Sequence, residues 1–148
     1  MMHMEQVKKP SIVEKAEKVI KGLIEKDKNG DDVIRLRTNQ IRKFLTAVNI
    51  LANKVAVYKA EHPGTKEMSE KLATEVQYLQ VKLVYQVGRE KKDKKPHLPP
   101  GPVEKFVNTA NLIAGIKSIG NNIAKFENFN RYVEALVAYH KFYGGRDA

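Results

Sequence analysis

Apolar residues return along this chain at the three- and four-residue intervals of an α-helix, and they do so in five separate stretches. In the first, Ile12, Val13, Ala16, Val19, Ile20, Leu23 and Ile24 share one face behind Ser11, whose hydroxyl suits a helix N-cap. Outside, Glu14 with Lys18 and Glu17 with Lys21 pair at i, i+4, and Asn29-Gly30-Asp31-Asp32 ends the stretch. Thr38 or Asn39 caps a second helix that turns Ile41, Phe44, Leu45, Val48, Leu51, Val55 and Tyr58 inward, closed by His62-Pro63-Gly64. Thr65, with Glu67 and Met68, opens a third, built on Met68, Leu72, Val76, Leu79, Leu83 and Val87. Pro102 fits the first turn of a fourth, with Val103, Phe106, Val107, Ala110, Ile113 and Ala114 inward. After a turn at Ile119-Gly120-Asn121-Asn122, the fifth carries Phe126, Phe129, Val133, Leu136, Val137 and His140 on one face and stops at Gly144-Gly145.

No stretch alternates with period two for long enough to make a strand. The pattern therefore predicts an all-α, single-domain bundle of about five helices over residues 11–148, with residues 1–10 as a flexible tail. Lys91 to Gly101 is basic and proline-rich, a connection that cannot stay helical. Beside the apolar face of the last helix, Tyr132, Tyr139 and Tyr143 form a second stripe. Tyrosine covers a large area and keeps a polar tip, which suits a partly wet protein interface. The alternative for Tyr139 and Tyr143 is that both rings pack back under the glycine stop and close the bundle.

Composition changes the picture in two ways. The chain of 148 residues has no Cys, which leaves no disulfide framework and no thiolate metal site. No segment reaches the roughly 18 apolar residues of a membrane span, and the start has no stretch like a signal peptide, so a cytoplasmic setting is expected. The net charge of +10 points to a polyanion or an anionic surface, or to plain solubility. It is concentrated: residues 38–95 hold 12 basic and 6 acidic side chains, against 9 and 7 in residues 1–37 and 6 and 4 in residues 96–148.

Two stripes fall within that basic middle. Arg42, Thr46, Asn49 and Asn53 recur along the second helix opposite its apolar face, with Lys43 and Lys54 beside them. Guanidinium, hydroxyl and amide groups in a line suit phosphate and sugar oxygens, or are simply a solvated outer face. Both readings stay open. On the third helix Lys71, Lys82 and Arg89 return to nearly the same angle, with Tyr78 and Tyr85 alongside. Cations interleaved with rings suit single-stranded nucleic acid, although Tyr85 also fits a core edge with its hydroxyl in water.

Chemistry of other kinds finds little footing. His3, His62 and His97 sit in the tail or beside prolines, and none pairs with another at metal-ligand spacing; His140 reads as a satisfied core histidine. Asp31-Asp32 reads as a turn, and no Gly-rich loop precedes a helix to cradle phosphate. No catalytic residues and no metal ligands are expected.

Three segments, in order and on the helices just described, carry a family resemblance: Thr38-Asn-Gln-Ile-Arg-Lys-Phe-Leu45, Val81-Lys-Leu-Val-Tyr-Gln-Val-Gly-Arg89, and the terminal run Tyr132 to Gly145. With Val103 to Ile113, they resemble the small helical subunit of type III-A CRISPR effector complexes, the Csm complexes. The likeness runs from Thr38 to the end and transfers nothing to residues 1–37. It implies a non-catalytic scaffold whose copies stack in a filament, lining the channel of the guide–target duplex and touching the target strand without reading its sequence. Its implied partners are guide and target RNA, other CRISPR effector subunits and further copies of itself, with no cofactor and no membrane. The RNA-binding candidates are then Arg42, Lys43, Asn49, Asn53, Lys54, Lys71, Lys82 and Arg89, and the protein-interface candidates Tyr132, Tyr139 and Tyr143. Two other readings of the same residues are a free-standing helical nucleic-acid-binding protein and a protein–protein adaptor whose charge serves solubility.

Overall fold

Ser11 starts the first helix as expected: its Oγ accepts the amide of Glu14 at 3.1 Å, and α1 runs Ile12–Lys21. In the computed structural model, which describes residues 11–92 and 98–145, Ala16, Val19 and Ile20 bury the inner face of α1. The expected tail and the histidines at 3 and 97 lie outside the described residues.

The helix ends earlier than its apolar pattern. Beyond Gly22 the chain straightens, and β1 (Ile24–Lys26) pairs antiparallel with β2 (Asp32–Ile34), with Ile24 opposite Ile34. Asp27 builds the turn between them, its Oδ1 accepting the amides of Asn29 at 2.8 Å and Asp31 at 3.0 Å, while Gly30 takes φ 83°. Glu25 is braced by Arg35 at 3.0 Å and Lys105 at 3.3 Å, and the Arg35 contact first of all holds its carboxyl below the ordinary value. Among the described residues this small ribbon, with an isolated antiparallel bridge between Glu67 and Asn122, is the extended pairing in an otherwise helical chain.

Of the other four predicted helices, two are continuous. The second, α2 (Thr38–Glu61), begins without the predicted Thr38 or Asn39 cap: Arg37 is the capping residue, and Gln40 reaches back to accept its amide at 2.9 Å. The last, α7 (Ile123–Phe142), is capped by Asn122 and stops where Gly144 turns to φ 87°. The remaining two are each split in the middle. The third becomes α3 (Glu70–Gln77), capped by Ser69, and α4 (Leu79–Lys91), hinged at Tyr78. The fourth becomes α5 (Pro102–Thr109) and α6 (Leu112–Ile119), separated by Asn111 at φ 56°.

The central strut is α7, packed against α1, α2 and α6. Phe44 of α2 meets Phe129 of α7 edge to face at 6.2 Å, and Phe126, Leu136 and His140 are fully enclosed. Across the bundle, α4 lies along α2 and also touches α5 and α6. Glu90 near the end of α4 fixes the start of α5, accepting the amides of Val103 at 2.8 Å and Glu104 at 3.1 Å. Gly101 lies so close that a Cβ there would sit 2.3 Å from the Glu90 carboxyl carbon. Among the described residues no helix is long and apolar enough to cross a membrane.

Candidate nucleic-acid interface

Because α2 and α4 run side by side, residues a turn off each buried face look at one another across a trough. Three depressions line up along it. The first, about 320 Å³, lies between Asn39, Gln40 and Lys43 on α2 and Gln86, Arg89 and Glu90 on α4. The second, about 280 Å³, shares Lys43, Gln86 and Arg89 with the first and adds Ala47, Lys82 and Tyr85. The third, about 330 Å³, shares Ala47 and Lys82 with the second and adds Ile50, Leu51, Lys54, Thr74, Glu75, Tyr78 and Leu79. Shared walls make these one continuous groove.

Four of the eight predicted RNA-binding residues therefore converge: Lys43 and Lys54 from one wall, Lys82 and Arg89 from the other. The other four do not enter it. Arg42, Asn49 and Asn53 are exposed on the outward side of α2, roughly a quarter-turn around from the groove, and Lys71 is exposed on α3. Lys54 is compensated by Glu75 at 2.6 Å. Arg42, Lys43, Lys71, Lys82 and Arg89 form no ion pair among the described residues, so their charge is available to solvent and to a ligand.

The groove is also unusually apolar for a cationic surface. Tyr78 is 58% and Tyr85 65% exposed, which removes the core-edge reading of Tyr85. Ile50 is exposed in the same groove, while Val81 and Val84, also exposed on α4, line none of the three depressions. The groove residues that sequence reasoning passed over are Asn39, Gln40, Gln86 and Ile50. Ile50 carried a signal, since it interrupts the polar run of Arg42, Thr46, Asn49 and Asn53 on its helix.

The tyrosine stripe divides. Tyr132 belongs to the core, a correction to its assignment as an interface residue: only 9% of it is exposed, and its hydroxyl donates to the Ala110 carbonyl at 2.9 Å. Burial pushes that phenol up to about 12. Tyr139 and Tyr143 are half-buried and stack at 6.2 Å, and Tyr143 donates to Glu17 on α1 at 2.5 Å. That hydrogen bond is the main reason its phenol also rises to about 12. The large apolar residue most open to solvent at this end is one the pattern did not single out, Phe142, 75% exposed and set edge-on to Tyr143 at 4.9 Å.

A wider depression of about 750 Å³ lies on the other side of α7, between α1 and α6, walled by Lys15, Asn111, Ser118, Lys125 and Asn128. Among the described residues there is no group of three or more His, Asp or Glu able to hold a metal ion. Asp32 pairs with Lys26 at 2.6 Å, and His62 caps its own helix through Nδ1, 2.9 Å from the Tyr58 carbonyl.

Fold and surface together define a small, single-domain helical protein that carries an open, cationic and ring-bearing groove. Comparison with known proteins supplies the family. Residues 8–146 match the family described as Csm2 Type III-A. A CRISPR system Cms protein Csm2 from Streptococcus thermophilus is 37% identical over 135 residues, covering 91% of this chain and 93% of its own. One of the same description from Mycobacterium tuberculosis (strain CDC 1551 / Oshkosh) is 34% identical over 133 residues, covering 90% and 92%. A third, from Enterococcus italicus, is 33% identical over 108 residues, covering 73% and 68%. The chain belongs to the type III-A Csm2 family, as the three sequence segments led one to expect.

Proposed function

We propose that this chain is a non-catalytic, RNA-binding scaffold subunit of a cytoplasmic type III-A CRISPR interference complex. It lines the guide–target RNA channel and holds the target strand without reading its sequence. The observation that carries this reading is the convergence of Lys43, Lys82 and Arg89, none of them in an ion pair among the described residues, across the α2–α4 groove. Cations spaced along a trough neutralise phosphates whatever bases those phosphates carry. Arg42, Asn49, Asn53 and Lys71 extend the polar surface around that trough, and Lys54 contributes once Glu75 yields it. Where base pairing with a guide supplies the specificity, the protein needs only to grip the strand. Guide RNA, other effector subunits and further copies of this chain are its partners, and the end of α7 bearing Tyr139, Phe142 and Tyr143 is its contact with a neighbouring subunit.

Binding of unrelated single-stranded RNAs, measured across a range of salt, tests the assignment. Replacing Lys43, Lys82 and Arg89 together by Ala should weaken every sequence alike. It should also reduce the slope of log K against log salt by about 2, since each single-strand phosphate contact contributes about 0.7. An unchanged slope would place the RNA elsewhere.

A further inference from the structure

Phosphate binding accounts for the cations of the α2–α4 groove but not for its apolar end. A sugar–phosphate backbone offers no surface that gains from Ile50 or from an open tyrosine ring, yet five of the nine residues lining the depression nearest α3 are Ala47, Ile50, Leu51, Tyr78 and Leu79. Its floor is Ala47, Leu51 and Leu79, the last two buried, and its sides are Ile50, 54% exposed, and Tyr78. Its polar residues are Thr74, Lys54 and Glu75, the last two holding each other at 2.6 Å, and Lys82, which forms no ion pair among the described residues. A largely apolar slot of about 330 Å³ that also holds donors, acceptors and the Lys82 ammonium has the chemistry to take a nucleotide turned base-inward.

We propose that this depression is a nucleobase pocket, in which one unpaired base lies against Tyr78 while Lys82 takes the adjoining phosphate. This rests on the RNA-binding reading above and sharpens it: the strand held in the groove has at least one base out of pairing with the guide, and a fully closed duplex leaves the slot empty. Bases inside a duplex are stacked on one another and cannot reach the slot, whereas an unstacked base can use both the ring and the aliphatic wall. Every base has a flat apolar face, so the pocket adds affinity without demanding a sequence. Tyr85, about 10 Å further along α4, offers a second ring on the same wall.

An abasic strand separates the two contributions, because it keeps the phosphates and removes the bases. The full-length protein should bind a single-stranded uridine oligonucleotide about tenfold or more tighter than an abasic strand of the same length, and tighter than the matching RNA duplex. Ile50→Arg is the sharper probe. It adds a positive charge to the groove, and Ile50 is exposed enough for the variant to fold, but the longer side chain fills the slot. The pocket predicts weaker binding to the uridine strand and loss of the preference over the abasic one. Tyr78→Ala should act in the same direction. Tighter binding by Ile50→Arg, or equal affinity of the wild type for base-bearing and abasic strands, would overturn the pocket and leave the phosphate groove standing. Absence of salt-dependent RNA binding by the wild type would overturn the function itself. Unaltered RNA binding by both variants with lost assembly into the larger complex would make the occupant a protein segment instead.

Discussion

His140 at the end of α7 reaches across the bundle to Leu36, its Nε2 lying 2.7 Å from that residue's backbone carbonyl. A carbonyl can only accept, so Nε2 carries the proton. The bond ties the last turn of the central helix to the segment that feeds α2, and so to one wall of the groove. The ring is 1% exposed, and Gly145 folds over it so tightly that a Cβ would fall 2.1 Å from its Cε1. His140→Leu keeps the apolar contacts but strands the Leu36 carbonyl, and should cost roughly 1–3 kcal/mol in urea unfolding. Gly145→Ala should destabilise as well, because the added methyl has nowhere to go. Full stability in both variants would mean that the contact is incidental.

Leu136, one turn earlier and entirely enclosed, tests the strut itself. Leu136→Ala removes buried methyl groups between α7 and its neighbours and should cost roughly 2–5 kcal/mol, a large part of an ordinary domain's stability. Thermal melting of the purified variant reads the loss directly.

Helical periodicity placed the core because each face repeats over many residues; Ile41, Phe44, Val48, Leu51 and Val55 are all buried where the pattern put them. What it missed were two breaks with no glycine or proline to announce them, at Tyr78 and Asn111, and one at Gly22 that the apolar pattern ran straight through. At Tyr78 the helix shifts direction while Gln77 donates to the Ile116 carbonyl at 2.9 Å, a tertiary contact invisible in the local sequence. Asn111 is a residue type that tolerates the left-handed conformation, but apolar residues on both sides carried the pattern straight over it. Leu23 and Ile24 continue the face of α1 in register, and strands of three residues are too short to alternate. The groove was half legible for the same reason. Lys43, Lys54, Lys82 and Arg89 could be named one by one, but only the packing of α4 on α2 sets them face to face.

Two tyrosines make stability depend on alkaline pH. Tyr132 and Tyr143 both hold their protons up to about 12 in the folded protein, whereas an unfolded tyrosine loses its proton near 10. Between these values the unfolded chain has released protons that the folded one keeps, so stability is fully present below pH 10 and falls as pH rises toward 12. Unfolding midpoints measured from pH 8 to 12 should drop steeply above 10. In the Tyr132→Phe, Tyr143→Phe double variant the drop should be shallower. Parallel pH profiles for the two proteins would show that neither phenol is held.

The end of α7 separates packing from assembly. Tyr143 is fastened to Glu17 and stacked with Tyr139, and Lys21 stands 5.8 Å over its ring, so this tyrosine helps close α1 onto α7. Phe142 touches Tyr143 only edge-on and leaves three-quarters of itself in solvent, so it adds little to the packing of the isolated protein. Aromatic side chains of this kind anchor protein interfaces when a partner desolvates them. Phe142→Ala should therefore leave the melting temperature nearly unchanged and reduce incorporation into the reconstituted type III-A complex. Tyr143→Ala should lower both, and Tyr139→Ala should fall between, since its ring is half-buried yet keeps an open edge. Native mass spectrometry of complexes assembled with each variant, set beside their melts, distinguishes the outcomes. Normal incorporation of Phe142→Ala would move the subunit contact away from this end of the helix and leave Tyr139 and Tyr143 as packing residues alone.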